Sequence, residues 1–414
     1  MNIAIADVQT PYLSHFWYSI GKNLQENGHS VYFVNPRKYF ERFLSKQNNG
    51  FQIYTNDDVT NTYSIESGHG YVLQYHSDWL GKDTQLIKEE YSLFRGILEE
   101  HNIDVSVFWN EKDLGVLAAK DTETPRVHLE NGYLPKTIQI DNQGVNCNSS
   151  IADLQFQDIL SIDPIWESNF DISAKSYPHD SMSSIDRLKV ISQFPLDRSA
   201  QSHLRRTIGS SVIKLKQFWS ASGDQELPED PFVFLPFQVH DDSQVMYNTG
   251  YINSMPEFLN LVKDSLRDID EDLNIVIKEH PHDIGRISYE ELRKNNPDVT
   301  WLKDYPIEDV IQKSSLVVTL NSSVGFQSIA ANRPVVTLGK SLYNNYPHVY
   351  HAPESDMLAP QLRKSLKNGI SEEAAREYIE SFRENIFIPG SFEEYTESTL
   401  SFILNYILKT AQND

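Results

Sequence analysis

The chain has 414 residues, 39% hydrophobic and 11% aromatic, which excludes a disordered chain and suits two domains of about 200 residues each. Its formal net charge of −22 argues against sequence-independent binding of nucleic acid, which needs basic patches, and against attraction to anionic membrane surfaces. The one cysteine, Cys147, excludes an internal disulfide and a cysteine metal cluster, and reads as an incidental residue.

The elements begin with the apolar strand "NIAIA" (2–6). Its flank "MNIAIADVQTPYLSHF" has no basic leader region, and no apolar run approaches the ~18 residues of a membrane span, so a cytoplasmic protein is expected. A helix over 15–29, closed by Gly28, and a strand over 31–35, stopped by Pro36, complete the β-loop-α-β opening of a doubly wound domain. An amphipathic helix (89–103), a strand (105–109), a short helix (113–121) and a strand end (126–133) follow. Residues 204–219 read as a helix, and the small, acidic, proline-bearing stretch 220–231 reads as a linker. A second alternation then runs as strand 232–237, helix 255–269, strands 274–278 and 299–302, helix 306–314, strand 316–320, helix 324–333 and strand 334–339. A long helix over 394–412 closes the sequence. No internal repeat interrupts the pattern.

The expected fold class is therefore α/β: a GT-B-type pair of Rossmann-like domains facing a central cleft, with a C-terminal helix. The expected boundaries are 1–220 for the N-terminal domain, 231–390 for the C-terminal domain and 391–414 for the helix. Ligands of such sheets bind at the carboxyl ends of strands.

Four segments could carry chemistry there. "KEHPHD" (278–283) puts His280 just past a strand end, with Pro281 biasing it toward an extended conformation; the alternative is a structural turn with a satisfied histidine. "TLNSSVGFQSIAANRPVVTLG" (319–339) places Asn321, Ser322 and Ser323 where a helix begins, as plain caps or as phosphate receivers, with Gly325 permitting close approach of a ligand. In "FLPFQVHDDSQV" (234–245) a strand is followed by Gln238, His240, Asp241, Asp242 and Ser243, and the two carboxylates are either a solvated turn or supply a nucleophile or base. In "VHLENGYLPKTIQIDNQGVNCNSS" (127–150), Glu130 ends a strand of the N-terminal half, as a loop glutamate or as a second carboxylate for glycosyl transfer. Lys278 and Lys340 are candidate cations for an anionic substrate or solvated lysines, and no DxD-type metal motif is placed to help.

Together these segments resemble the capsular polysaccharide synthesis family, the KpsS/KpsC-type β-Kdo transferases, over about residues 125–355. The matches are "LENGYLP", "GVNCNSS", "FLPFQVHDDSQV", "VIKEHP" and "TLNSSVGFQSIAANRPVVTLG" followed by Tyr343, in that order, and their wording is nearer the single-module KpsS-like branch. Gln327 departs from the glutamate of the KpsC-like pattern.

The resemblance implies a GT-B enzyme that transfers Kdo from CMP-Kdo, with retention, to a lipid-linked acceptor at the base of a capsule chain. It implies no metal and no cofactor beyond that donor substrate. The C-terminal domain would take the CMP-sugar, through Gln238, Lys278, His280, Pro281, Asn321, Ser322, Ser323 and Gly325. Asp242 would be the nucleophile, with Asp241 its competitor, and Glu130 the acid/base on the acceptor side. A lipid-linked acceptor implies a peripheral place at the inner face of the cytoplasmic membrane, beside other capsule synthesis or export proteins. The competing readings are a sialyltransferase-like CMP-sugar enzyme, a UDP-sugar 2-epimerase on the same fold, and a non-catalytic component of a capsule assembly complex.

Overall fold

The computed structural model describes residues 1–6, 14–34, 50–65, 70–162, 226–240, 248–269, 273–281, 286–303, 305–369 and 371–412, with Glu41, Leu44, Val245, Glu271 and Asp283 as isolated positions. The helix expected over 204–219, most of the linker, and both Asp241 and Asp242 lie outside the described residues.

The described residues form two compact units. The first opens with β1 (Asn2–Ala6), the helix Ser14–Glu26 and β2 (Ser30–Val34), and continues through β3 (Gln52–Tyr54), the helix Thr84–Glu100, β4 (Val105–Trp109) and β5 (Arg126–Asn131) to β6 (Thr137–Asp141). Strand β1 lies between β2 and β4, and β1 to β5 are parallel. Strand β6 turns back antiparallel to β5. Alternate residues serve the two faces of the sheet: Ile3, Ile5, Val105 and Val107 enter one core, and Ala4, Ala6 and Phe108 the other.

The second unit contains β7 (Phe232–Pro236), β8 (Asn274–Lys278), β9 (Val299–Leu302), β10 (Leu316–Thr319), β11 (Val335–Thr337) and β12 (Val349–His351). All its strand pairs are parallel, and the order across the sheet is β12-β11-β10-β7-β8-β9. The chain builds outward from β7 to β9, then crosses to the other side of β7 and builds outward again from β10 to β12. This is the Rossmann order, and its switch point lies between β7 and β10. The strands read as nearly continuous apolar runs because both faces are covered. Val233, Leu235, Ile275 and Ile277 enter one cluster, and Phe232, Phe234 and Val276 the other.

The tail returns to the first unit at Phe382. Strand β13 (Phe387–Pro389) pairs antiparallel with β6, so residues 382–390 join the first unit rather than the second, where the sequence placed them. The helix Glu397–Thr410 follows. Its Leu400, Ile403, Leu404 and Ile407 fall at helical spacing on one face and enter the core with Phe16, Ile20 and Leu24.

Candidate active site at the carboxyl edge of the second sheet

Three loops leave β7 and β10, which flank the switch point, and β8, the next strand along, and side chains tie them together. The loop after β7 carries Gln238, and the loop after β10 carries Asn321; both are buried. Gln238 Nε2 donates to Asn321 Oδ1 at 2.9 Å, and the Asn321 backbone N–H donates back to Gln238 Oε1 at 3.2 Å. This reciprocal pair spans β7 and β10 where a Rossmann sheet opens a crevice for its ligand.

Beyond Asn321, Ser322 caps the helix Ser323–Ala330 and accepts from Val324 N–H at 3.2 Å. The Ser322 carbonyl accepts the Tyr343 hydroxyl at 2.5 Å. Tyr343 is fully buried, and burial pushes its phenol far above the ordinary range, so it acts as a neutral donor. Gly325 has a structural use here: a Cβ at this position would lie 2.8 Å from Tyr343 Cζ and closer still to the hydroxyl. The close approach that the glycine permits is therefore that of Tyr343. Ser322 and Ser323 are half-buried at the helix N-terminus, whose amides and dipole suit an anion.

The third loop follows β8 and holds the dense ionisable cluster. Glu279, though buried, is paired with Arg293, whose guanidinium stacks 5.3 Å from the Trp301 ring. Asp283 is buried as well and accepts from His240 of the β7 loop, through the backbone N–H at 2.7 Å and Nδ1 at 2.8 Å. Asp283 N–H donates to the His280 carbonyl at 2.9 Å. The two acids thus serve the loop itself. Lys278 and His280 are half-buried at its start, and Pro281 is exposed. The sequence reading gave no role to His240 or Asp283; linear spacing cannot show that residues 43 apart meet.

Glu130 lies in the first unit, near the end of β5 and opposite Gln139 of β6. Its Oε1 accepts from Asn131 N–H at 2.9 Å. Directly paired residues share a sheet face, and on this face Gln139 Oε1 accepts Asn146 N–H at 3.1 Å. Asp141 Oδ1 accepts Gln143 N–H at 2.7 Å, and its Oδ2 accepts Ser150 N–H at 2.9 Å. Glu111 accepts Val145 N–H and, at 2.7 Å, Asn148 Nδ2. Burial pushes the Glu111 carboxyl above its ordinary pKa. The "GVNCNSS" loop is thereby pinned beside Glu130 by three side chains that the sequence reading did not single out.

Among the described residues no group of three or more His, Cys, Asp or Glu side chains could hold a metal ion. Among them, too, no helix is long and apolar enough to cross a membrane.

Polar side chains gather at the carboxyl ends of a parallel sheet in Rossmann order, the edge where ligands of such sheets bind. Residues 171–347 match the family described as capsule polysaccharide biosynthesis protein. The chain is 27% identical over 291 residues to the Protein FixF of Sinorhizobium fredii, covering 70% of this chain and 61% of that protein. It is 27% identical over 143 residues to the capsule polysaccharide export protein KpsS of Escherichia coli, covering 31% of this chain and 36% of that one. The chain thus spans less than two thirds of the length of either relative. Among solved structures it is similar to the KpsC β-Kdo 2,7 transferase of Thermosulfurimonas dismutans, at 13% identity and a TM-score of 0.41 over 92% of this chain and 99% of that one.

Proposed function

We propose that the chain is a glycosyltransferase of capsule polysaccharide biosynthesis, transferring Kdo from CMP-Kdo to a lipid-linked acceptor with retention of configuration. The observation that supports this reading best is the tie between three loops at the switch point of the second sheet. It brings the His-Pro loop and the serine cap, two of the motifs that resemble the family, to one edge.

In this reading the donor phosphate lies at the N-terminus of the helix Ser323–Ala330, with Ser322, Ser323 and His280 as donors and Lys278 as a nearby cation. Gln238 and Asn321 hold the loops that receive it, and Pro281 and Gly325 shape them. The Asp242 carboxylate attacks the anomeric carbon as the bond to the phosphate oxygen breaks and CMP departs. The acceptor hydroxyl then displaces the carboxylate, losing its proton to Glu130. Two inversions give net retention. The enzyme works in the cytoplasm, peripheral to the inner face of the membrane that carries its acceptor, beside other capsule synthesis or export proteins. The similarity to the capsule polysaccharide export protein KpsS favours a second reading as a non-catalytic component of such a complex.

Radiolabelled transfer and CMP binding, measured on the same variants, separate these readings. His280→Ala is expected to weaken CMP binding about tenfold, the worth of one charge-assisted hydrogen bond. Asp242→Ala is expected to bind CMP normally and to lose turnover on the order of 10⁴-fold. Normal turnover in Asp242→Ala, with loss in Asp241→Ala, would move the nucleophile by one residue. Absence of transfer in the wild type with every acceptor tried would favour the non-catalytic reading.

A further inference from the structure

Asp283 is 1% exposed, and both its oxygens are engaged by a single residue of another loop. Oδ2 takes the His240 backbone N–H, and Oδ1 takes Nδ1. Arg286 approaches the same carboxylate at 3.7 Å. An ionised carboxylate beside Nδ1 requires the proton on that nitrogen, so the tautomer is fixed. Held at backbone and ring together, the imidazole has one orientation, with Nε2 directed away from the buried acid. The His240 side chain is 30% exposed, at the carboxyl edge of the central strand. Fastening two loops needs only the backbone bond. A second bond that orients a ring, from a carboxylate taken out of water at a cost, fits a ring that has work to do.

We propose that His240 is a second oxyanion donor of the nucleotide site, its Nε2–H directed by Asp283 toward the donor phosphate alongside His280. Asp283 is then a positioning residue for His240, and its own N–H, bonded to the His280 carbonyl, closes the backbone turn that follows His280. Among the described charged groups around the pair, Arg286 offsets Asp283 and Arg293 offsets Glu279, while Lys278 adds positive charge at the start of the β8 loop. The assignment rests on the nucleotide-site reading above, so its test must fail separately from that reading.

The test is calorimetric titration of the full chain with CMP, cytidine and free Kdo. Two isosteres divide the imidazole's functions. His240→Asn keeps a donor at the Nδ1 position for Asp283 and has no atom at the Nε2 position. His240→Gln places an amide at the Nε2 position and gives up the grip on Asp283. His240→Asn is expected to weaken CMP tenfold or more, to leave cytidine unchanged and to unfold at the wild-type midpoint; His240→Gln is expected to lose less. Wild-type affinity of His240→Asn for CMP overturns the proposal and leaves His240 as a loop fastener. A loss confined to Kdo overturns the phosphate assignment in favour of the sugar carboxylate. Should the wild type bind UDP and not CMP, the donor reading falls, and the same isosteres on UDP against uridine decide His240 by the same criterion. A wild type with no phosphate-dependent binding overturns both.

Discussion

His128 shows what a single buried side chain does to this protein. It is fully buried in β5 and its Nδ1–H donates to the Asn110 carbonyl at 2.8 Å. Desolvation lowers its pKa from 6.5 to about 4. Between those two values the unfolded chain takes up a proton that the folded chain refuses. The contribution is therefore complete above pH 6.5 and is lost as pH falls toward 4, amounting to roughly 3 kcal/mol at the bottom of the window. His76, also buried, has its pKa lowered to about 3 and adds to the same acid weakness. His128→Asn keeps a donor for the Asn110 carbonyl and cannot titrate. Urea midpoints between pH 4 and 7 are expected to fall less steeply in this variant than in the wild type; parallel curves would contradict the assignment. In sequence, His128 is one polar residue within "VHLENGY". Nothing local shows that its partner is the carbonyl of Asn110, eighteen residues back.

At the scale of elements, the apolar strands were legible because parallel strands covered on both faces need apolar residues throughout. "FVFLP" and "NIVIK" carry that signal. Strand β6, "TIQID", was not legible, although all five residues are buried. Ile138 and Ile140 face the core, but Gln139 and Asp141 bond a loop, so its burial has no apolar signature. Strands β12 and β13, three residues each, are too short for any periodicity to register. The turn before the helix Ser323–Ala330 was legible as a cap, while the tyrosine packed on it was not. Gly325→Ala must displace Tyr343 and disturb the bond to the Ser322 carbonyl. A loss of about 1–3 kcal/mol is expected by chemical denaturation. Adding Tyr343→Phe removes the nearer clash but not that with Cζ, so partial recovery is expected. An additive double variant would show that the two residues do not press on each other.

At the scale of the molecule, the two strand–helix alternations revealed two Rossmann-like sheets, and the motif order placed the candidate residues at strand ends. The return of the tail to the first unit was hidden, because it depends on which core the Leu400–Ile407 face fits rather than on any local pattern. A net charge of −22 also conceals the local balance at the second sheet, where, among the described residues, Glu279 is paired with Arg293 and Asp283 with Arg286, beside Lys278 and His280. If this edge holds a CMP-sugar, as proposed, a thermal-shift titration with CMP, UMP, UDP and GDP will reveal it. A ligand that binds only the folded state stabilises it by about 2.7 kcal/mol at a hundredfold excess over Kd. The midpoint is expected to rise with CMP well before it rises with the other three nucleotides. Preference for UDP would contradict it and place the chain with UDP-sugar enzymes.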